Sequence, residues 1–161
     1  MLRLPMRAQP PEEHETGRPP RRVAVRAHVA DALLAASLRA APCEIGALLT
    51  GRRDGDTLHV EDAAMLDNIA IDPEKRFAAD ELQFLRSLSE HEARGLAFLG
   101  FAHSHPHGSA SPSTTDIRDA WPSTLLILVA PHAEEGARIH AHWRDRSFCV
   151  ALALLPAEAL A

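Results

Sequence analysis

The chain has 161 residues, of which 46% are hydrophobic, and this is enough for one globular domain with a sizeable core. The formal net charge is −5, which does not suit nucleic-acid binding, and two cysteines are too few for a disulfide scaffold. No apolar stretch has the length of a membrane span or the character of a signal peptide, so we expect a cytoplasmic protein that binds neither nucleic acid nor membrane.

Residues 1–21 differ from the rest of the chain in composition. They are rich in Pro, Arg and Glu and show no hydrophobic periodicity, which is typical of a disordered tail. We therefore predict a tail over 1–21 and a single domain over 22–161.

The first half of the domain has the pattern of a strand, a helix and a hairpin. In chain order we predict a strand at 22–26, a helix at 27–41, strands at 44–53 and 57–66, and an extended segment at 68–77. Alternating valines indicate the first strand, and apolar residues three or four apart indicate the helix. Asp54-Gly55 between the two later strands is a strong hairpin signal.

The second half alternates strands with helices. In chain order we predict a helix at 79–94, a strand at 96–102, a short helix at 115–120, a strand at 125–130, and a hairpin of 137–144 and 148–154. We expect Asp80 to cap the first helix, and Leu82, Leu85 and Leu88 to face the core. This order of elements predicts an α/β or α+β fold around a mixed sheet.

The most informative stretch runs from Leu99 to Asp116. His103 and His105 share one face of the predicted strand, and Ser113 and Asp116 have the spacing of one helical turn. Two imidazoles and a carboxylate leave the fourth position of a tetrahedral zinc ion to water, as in catalytic zinc sites. A His-x-His pair alone is weak, because ten histidines give roughly 0.6 such pairs by chance. The strand before the pair and the Ser-x-x-Asp after it strengthen the metal interpretation.

His103-Ser104-His105-Pro106 with Ser113-x-x-Asp116 resembles the signature of the JAMM (MPN-plus) zinc metallopeptidases. Glu44, in the sequence PCEIGALLTG, is similar in setting to the upstream Glu of that signature. The segment 68–77 also resembles that family's chain between the hairpin and the central helix. The likeness covers about residues 23–153, and it implies a three-layer, deaminase-like architecture in which helices flank a mixed sheet.

The resemblance also implies roles for individual residues. His103, His105 and Asp116 would hold one zinc ion with a bound water, Glu44 would act as the general base, and Ser113 would hydrogen-bond the developing oxyanion or the zinc-bound water. The residues alone leave other interpretations open. Glu44 could be an exposed residue at the start of a strand, and Ser113 could serve as the N-cap of the short helix.

The function implied by the resemblance is that of a peptidase or isopeptidase acting after the C-terminal tail of a ubiquitin-like protein. The chain is similar to compact prokaryotic members that trim ubiquitin-like sulfur carriers, including carrier–cysteine adducts. Proteins of cysteine, thiamin or molybdopterin biosynthesis are then possible partners. The alternatives are a non-catalytic MPN scaffold and a DNA-associated protein that resembles RadC. A zinc deaminase is disfavoured, because the chain lacks a Cys-x-x-Cys.

Other chemically capable residues receive simpler interpretations. His107 follows the end of the strand and is expected to lie in a loop, where it could touch substrate. Cys43 is expected to be a structural thiol, because neighbouring residues of a strand face opposite ways. Alternation in the last hairpin predicts His140 and His142 on a solvated face.

Overall fold

The computed structural model describes residues 2–3, 18–134, 138–143 and 146–155, with side chains described for 18–134, 138–143, 153 and 155. Most of the predicted tail, 4–17, lies outside the described residues. The strands are β1 (Leu2–Arg3), β2 (Arg22–Arg26), β3 (Gly46–Asp54), β4 (Thr57–Leu66), β5 (Phe77–Ala78), β6 (Ala97–Ser104), β7 (Leu125–Val129), β8 (Ile139–Trp143) and β9 (Arg146–Leu155). The helices are α1 (Ala27–Ala40), α2 (Glu81–Glu92) and α3 (Thr114–Asp119).

Seven of these strands form one mixed sheet in the order β2-β4-β3-β6-β7-β8-β9. The strand β2 runs parallel to both β4 and β9, so the sheet closes into a barrel. The pair β6–β7 is also parallel, whereas β3 is antiparallel to both of its neighbours. The predicted mixed-sheet α+β fold is confirmed. The closure by β9 on β2 was not predicted, because it pairs segments from the two ends of the domain.

Helices cover the two faces of the sheet. On one face, α1 contributes Leu33 to a core that includes Leu49 and Ile127, and on the other, α2 contributes Phe84 to a core with Phe101. The layers are therefore helix, sheet and helix, as predicted. Alternate residues of β7 belong to the two cores, which agrees with the burial on both faces predicted for 125–130.

A bulge in β6 decides which face of the sheet receives the histidines. Leu49 and Thr50 of β3 pair with Gly100 and Phe98, so Leu99 is the extra residue. The bulge places Phe98 and Phe101 on the same face, in the core under α2. By alternation, the next residue on this face is His103. A side chain at Gly100 is excluded, because a Cβ there would lie 1.9 Å from the carbonyl oxygen of Leu125.

The helix α2 corrects one prediction. Asp80 does cap it, accepting a hydrogen bond from the Gln83 amide at 2.8 Å, and Leu88 is buried. However, Leu82 and Leu85 are 64% and 44% exposed, so their predicted inward orientation is wrong. Three residues turn a helix by about 300°, which is about 60° short of a full turn, so residues spaced three apart move progressively away from one face. The buried face instead consists of Phe84, Leu88 and His91, which are four and then three residues apart. No helix in the described part of the chain is long and apolar enough to cross a membrane.

Candidate metal centre

Two elements bring the His-x-His pair and the aspartate together. His103 lies near the end of β6, between Gly46 of β3 and Leu128 of β7, and its side chain has no exposed area. The His105 amide donates to the carbonyl of Val129 at 2.8 Å, which keeps this residue aligned with β7. Asp116 lies in the first turn of α3, and its side chain is also completely buried.

The polar atoms of these three side chains point at one another. The Nε2 atoms of His103 and His105 are 3.0 Å apart, and each lies 3.3 Å from an oxygen of the Asp116 carboxylate. His105 is the member nearest to solvent, with 15% of its side chain exposed. In the described part of the chain, this is the group of three His, Cys, Asp or Glu side chains whose ligand atoms meet within 4.8 Å.

These separations fit a zinc ion. A tetrahedral zinc site with bonds of about 2.0–2.1 Å has neighbouring ligand atoms about 3.3–3.4 Å apart. Two unprotonated imidazole nitrogens at 3.0 Å repel each other unless a proton or a cation lies between them. The donor set of two imidazoles and one carboxylate, partly open at His105, is that of catalytic rather than structural zinc sites.

The carbonyl of Ser109 selects the tautomer of His105. Its oxygen lies 2.9 Å from Nδ1, and because a carbonyl can only accept, Nδ1 carries the proton. Nε2 then has a free lone pair directed at the cluster, as a metal ligand requires. Burial lowers the pKa of His105, but its contacts with Asp116 and with the Ser109 carbonyl outweigh burial and raise it. Protons therefore compete with a metal for this nitrogen.

The other two members carry the charge states expected of ligands. Burial lowers the pKa of His103, which favours the neutral imidazole. Burial acts to raise the pKa of Asp116, but the two imidazoles and Ser113 together hold it well below its usual range. The site therefore contains a carboxylate with a fixed negative charge beside the neutral imidazole of His103.

Ser113 and Asp116 form a capping box at the start of α3. The Ser113 hydroxyl oxygen accepts from the Asp116 amide at 3.1 Å, and the Ser113 amide donates to Oδ2 of Asp116 at 2.7 Å. The N-cap interpretation of Ser113 is thus correct. The box also orients the Asp116 carboxylate towards the histidines.

Glu44 is buried, with 7% of its area exposed, so its interpretation as an exposed residue at the start of a strand is wrong. The amide of Ile45 donates to the Ser104 hydroxyl at 2.9 Å, and the Ser104 amide donates to the Ile45 carbonyl at 3.0 Å. These bonds continue the β3–β6 pairing, and alternation places Glu44 on the face of His103 and His105. Burial raises the pKa of Glu44, while the nearby charge of His105 opposes this change.

Asn68 organises the segment beside Glu44, and the sequence did not single it out. Its Nδ2 donates to the carbonyls of Glu44 and Arg76 at 2.9 and 2.8 Å. Its Oδ1 accepts from the amides of Ala70 and Ala78 at 3.0 and 3.2 Å. An Asn at the start of an irregular segment was the available signal, because Asn side chains often bond nearby backbone groups.

The remaining histidines and the cysteine are less central. His107 is exposed in the loop, as predicted, and Cys43 is half-buried. His140 and His142 are half-buried while Ala141 and Trp143 are buried, so the predicted alternation is correct but the face of the two histidines is only partly solvated. The ring of His142 reaches the carbonyl of Ala110 in the loop after His105, at 3.0 Å from Nε2.

A mixed sheet that delivers a His-x-His pair to an aspartate in the first turn of a short helix defines the class of protein. The chain belongs to the family of prokaryotic homologs of the JAB domain, whose model matches residues 26–145.

Two curated relatives have informative names. The chain is 41% identical, over 92 residues, to a probable TtuB-protein conjugate cleaving protease of Thermus thermophilus; the match spans 56% of this chain and 59% of that protein. It is 31% identical, over 109 residues, to the desampylase of Haloferax volcanii, with 66% of this chain and 74% of that protein covered. The matched region is thus less than two thirds of the length of the Thermus relative.

Solved structures share the fold. A solution structure of a protein from Desulfitobacterium hafniense has a TM-score of 0.73 and 28% identity, covering 83% of this chain and 93% of that one. A JAB1/MPN domain protein from Archaeoglobus fulgidus has a TM-score of 0.55 and 21% identity, covering 82% of this chain and 98% of that one. The second likeness supports the fold alone.

Proposed function

We propose that this protein is a JAMM-type, zinc-dependent peptidase or isopeptidase that hydrolyses the amide bond after the C-terminal tail of a ubiquitin-like protein. The observation that carries the proposal is the convergence of His103, His105 and Asp116, with ligand atoms 3.0 and 3.3 Å apart. The names of the two curated relatives support a conjugate-cleaving activity and a ubiquitin-like partner.

In this proposal His103, His105 and Asp116 hold one zinc ion. Bound zinc lowers the pKa of its water towards neutrality and polarises the carbonyl under attack. Glu44 takes the proton of the attacking water and passes it to the leaving amine. Burial suits it to this task, because it raises the pKa of the Glu44 carboxyl towards the range of a proton shuttle.

Ser113 steadies the oxyanion that forms during the attack. Its oxygen already accepts a hydrogen bond from the Asp116 amide, so the hydroxyl still has a proton to donate. Hydrogen-bond donors placed in advance where negative charge develops are a major source of catalytic rate.

The substrate tail lies between the hairpin of β3 and β4 and the segment 68–77. The edge of β5, at the end of this segment, already pairs in parallel with Leu2–Arg3, so a substrate tail added to β5 as a strand would take the place of that pair. About eight residues separate Asp116 from β7, which leaves little room for a substrate-gripping insertion. These features favour a small carrier with an extended tail, and we propose that it is a sulfur carrier ending in Gly-Gly, or its cysteine adduct, in the cytoplasm.

The alternatives have less support. A non-catalytic MPN scaffold does not need the three converging ligands, and all three are present. A DNA-associated role fits poorly with the net charge of −5.

The test is Glu44→Gln, assayed on a carrier–peptide fusion. We expect this variant to retain its fold and near one zinc per chain but to lose cleavage by about 10²–10⁴-fold. Glu90→Gln, at an exposed position of α2, is the matched control and should cleave normally. A fusion whose Gly-Gly tail is replaced by Val-Val should resist the wild-type enzyme, because the proposal places a tail without side chains between the β3–β4 hairpin and the segment 68–77. Full activity of Glu44→Gln, or cleavage of the Val-Val fusion, would contradict these assignments.

A further inference from the structure

The loop between His105 and Ser113 is attached to the sheet by a side chain from a distant strand. His142 lies on β8, opposite Leu126 of β7, and therefore on the sheet face that carries His103. Its Nε2 lies 3.0 Å from the carbonyl oxygen of Ala110. A carbonyl only accepts, so His142 is the donor and carries its proton on Nε2.

The hydrogen bond from His142 and the hydrogen bond that orients His105 are accepted by neighbouring residues of the loop. The carbonyl of Ser109 accepts from Nδ1 of His105 at 2.9 Å, and Ala110 is the following residue. Two adjacent carbonyls of one loop therefore each accept from an imidazole, one of a proposed ligand and one of the sheet. The carbonyl of Ser109 cannot turn away from His105 without disturbing the neighbouring peptide that His142 holds.

His105 depends on this loop more than His103 does. His103 is completely buried within the sheet, and its Nδ1 has no hydrogen-bond partner among the described residues. His105 lies beyond the end of β6, and 15% of its side chain is exposed. The loop is thus the feature that selects the tautomer of His105.

We propose that His142 is a positioning residue for the metal centre: its hydrogen bond to the Ala110 carbonyl holds the Ser109 carbonyl against Nδ1 of His105 and keeps Nε2 available as a ligand. This inference rests on the proposed zinc site. It adds a residue that belongs neither to the His-x-His motif nor to the Ser-x-x-Asp motif, and that lies on a different element from both.

The packing of Ala110 competes with this explanation. Ala110 is 2% exposed and belongs to the core under α2, so packing by itself could hold the loop. If it does, removing the His142 donor would leave metal binding unchanged. The experiment must therefore separate the hydrogen bond from the bulk of the ring.

The test compares three full-length variants by their zinc dissociation constants, measured by competition with a chelator. His142→Leu removes the donor, and we expect about tenfold weaker binding, since partners that orient metal ligands typically contribute 10–100-fold. His142→Gln has an amide that can donate to the same carbonyl, and it should bind within about threefold of wild type. His140→Leu is the matched control: its ring contacts that of His142, but among the described residues it makes no hydrogen bond to the loop.

A second measurement reports on His105 directly in the zinc-free protein. Imidazole nitrogen shifts in NMR spectra distinguish the two neutral tautomers. At a pH high enough for the ring to be neutral, we expect the Nδ1–H tautomer of His105 in wild type and His142→Gln, and a mixture in His142→Leu.

The inference is overturned if His142→Leu and His140→Leu bind zinc equally tightly, or if the tautomer of His105 is the same in all variants. A wild-type protein that fails to bind zinc would instead refute the proposed function, and no carrier substrate is needed to tell the two failures apart.

Discussion

Two clusters of a buried histidine and an aspartate lie on the same sheet, and only one is arranged to bind a metal. The first is the metal centre, where His103 is opposite Gly46 at one end of β3. The second is the His91 cluster, formed by His91 of α2, Thr50 of β3 and Asp62 of β4. Thr50 and Asp62 are cross-strand neighbours. Thr50 lies four residues beyond Gly46 on β3, so the two clusters are about 13 Å apart.

The two clusters differ in what satisfies their polar atoms. In the His91 cluster, the guanidinium of Arg94 donates to Oδ2 of Asp62 at 2.6 Å. Nδ1 of His91 is hydrogen-bonded to the Thr50 hydroxyl. Nε2 of His91 is 4.0 Å from Asp62, so no set of three ligand atoms converges. Arg94 is the cation of the His91 cluster, whereas the metal centre has a carboxylate and two imidazoles facing one another. The metal centre thus differs from the His91 cluster both in its second histidine and in the partners of its polar atoms.

The largest expected effect is a loss of zinc binding when the aspartate of the metal centre, and not that of the His91 cluster, is replaced. Asp116→Asn keeps the size of the side chain and an oxygen for the Ser113 amide, but it removes the negative charge from the metal centre. We expect zinc affinity to fall by about 10²–10³-fold, because structural zinc sites share about 10–16 kcal/mol among their ligands. Asp62→Asn is the matched control and should leave zinc content unchanged by metal analysis. Equal zinc loss in both variants would show that the comparison is wrong.

An intermediate effect tests the Thr50–His91 hydrogen bond. Thr50→Val preserves the shape of a completely buried side chain but leaves Nδ1 of His91 without that partner. We expect the free energy of unfolding of the zinc-free protein to fall by about 1–3 kcal/mol in urea titrations, with no change in zinc affinity. Thr57→Val, at a half-buried position of β4, should change stability by less than about 0.5 kcal/mol. A loss of zinc binding in Thr50→Val would mean that the two clusters are coupled.

The smallest effect concerns pH. Burial lowers the pKa of His91 in the fold, and Arg94 acts in the same direction, while Asp62 and Glu90 oppose it. As pH falls, the His91 imidazole is therefore protonated in the unfolded chain before it is protonated in the folded protein. The stability that neutral His91 contributes is complete above about pH 6.5 and is lost as the pH falls below that value.

We expect His91→Gln to reduce the loss of unfolding free energy between pH 7.5 and 5.5 by up to about 1 kcal/mol, measured on zinc-free protein. The histidines of the metal centre titrate in both proteins and cancel in the comparison. His28→Gln, on the exposed face of α1, is the matched control for the loss of one histidine. An unchanged pH dependence in His91→Gln would show that His91 does not titrate differently in the fold.

Local pattern was sufficient for most of the elements. The predicted strands and helices appear in the predicted order, although the two-residue strands β1 and β5 were not predicted. Asp80 caps α2 as expected, and Ser113 caps α3, a role that the residues alone had left open. The errors arose where burial is decided by remote segments. Leu82 and Leu85 have the right chemistry for a core but point away from it, and His91 is buried instead. His142 was misjudged in the same way, since its partner Ala110 is 32 residues away.

The sequence by itself determined the family and the candidate ligands, because the spacing within His-x-His and within Ser-x-x-Asp is a local property of a strand and of a helical turn. Only the tertiary structure decided that the two pairs meet, that Glu44 is buried beside them, and that His142 rather than His140 bonds to the loop. The chain contains several histidines and carboxylates of equal chemical capacity. Which of them converge depends on a bulge at Leu99 and on strand pairings between residues far apart in the chain. The residue types at the positions of the converging side chains do not reveal either the bulge or these pairings.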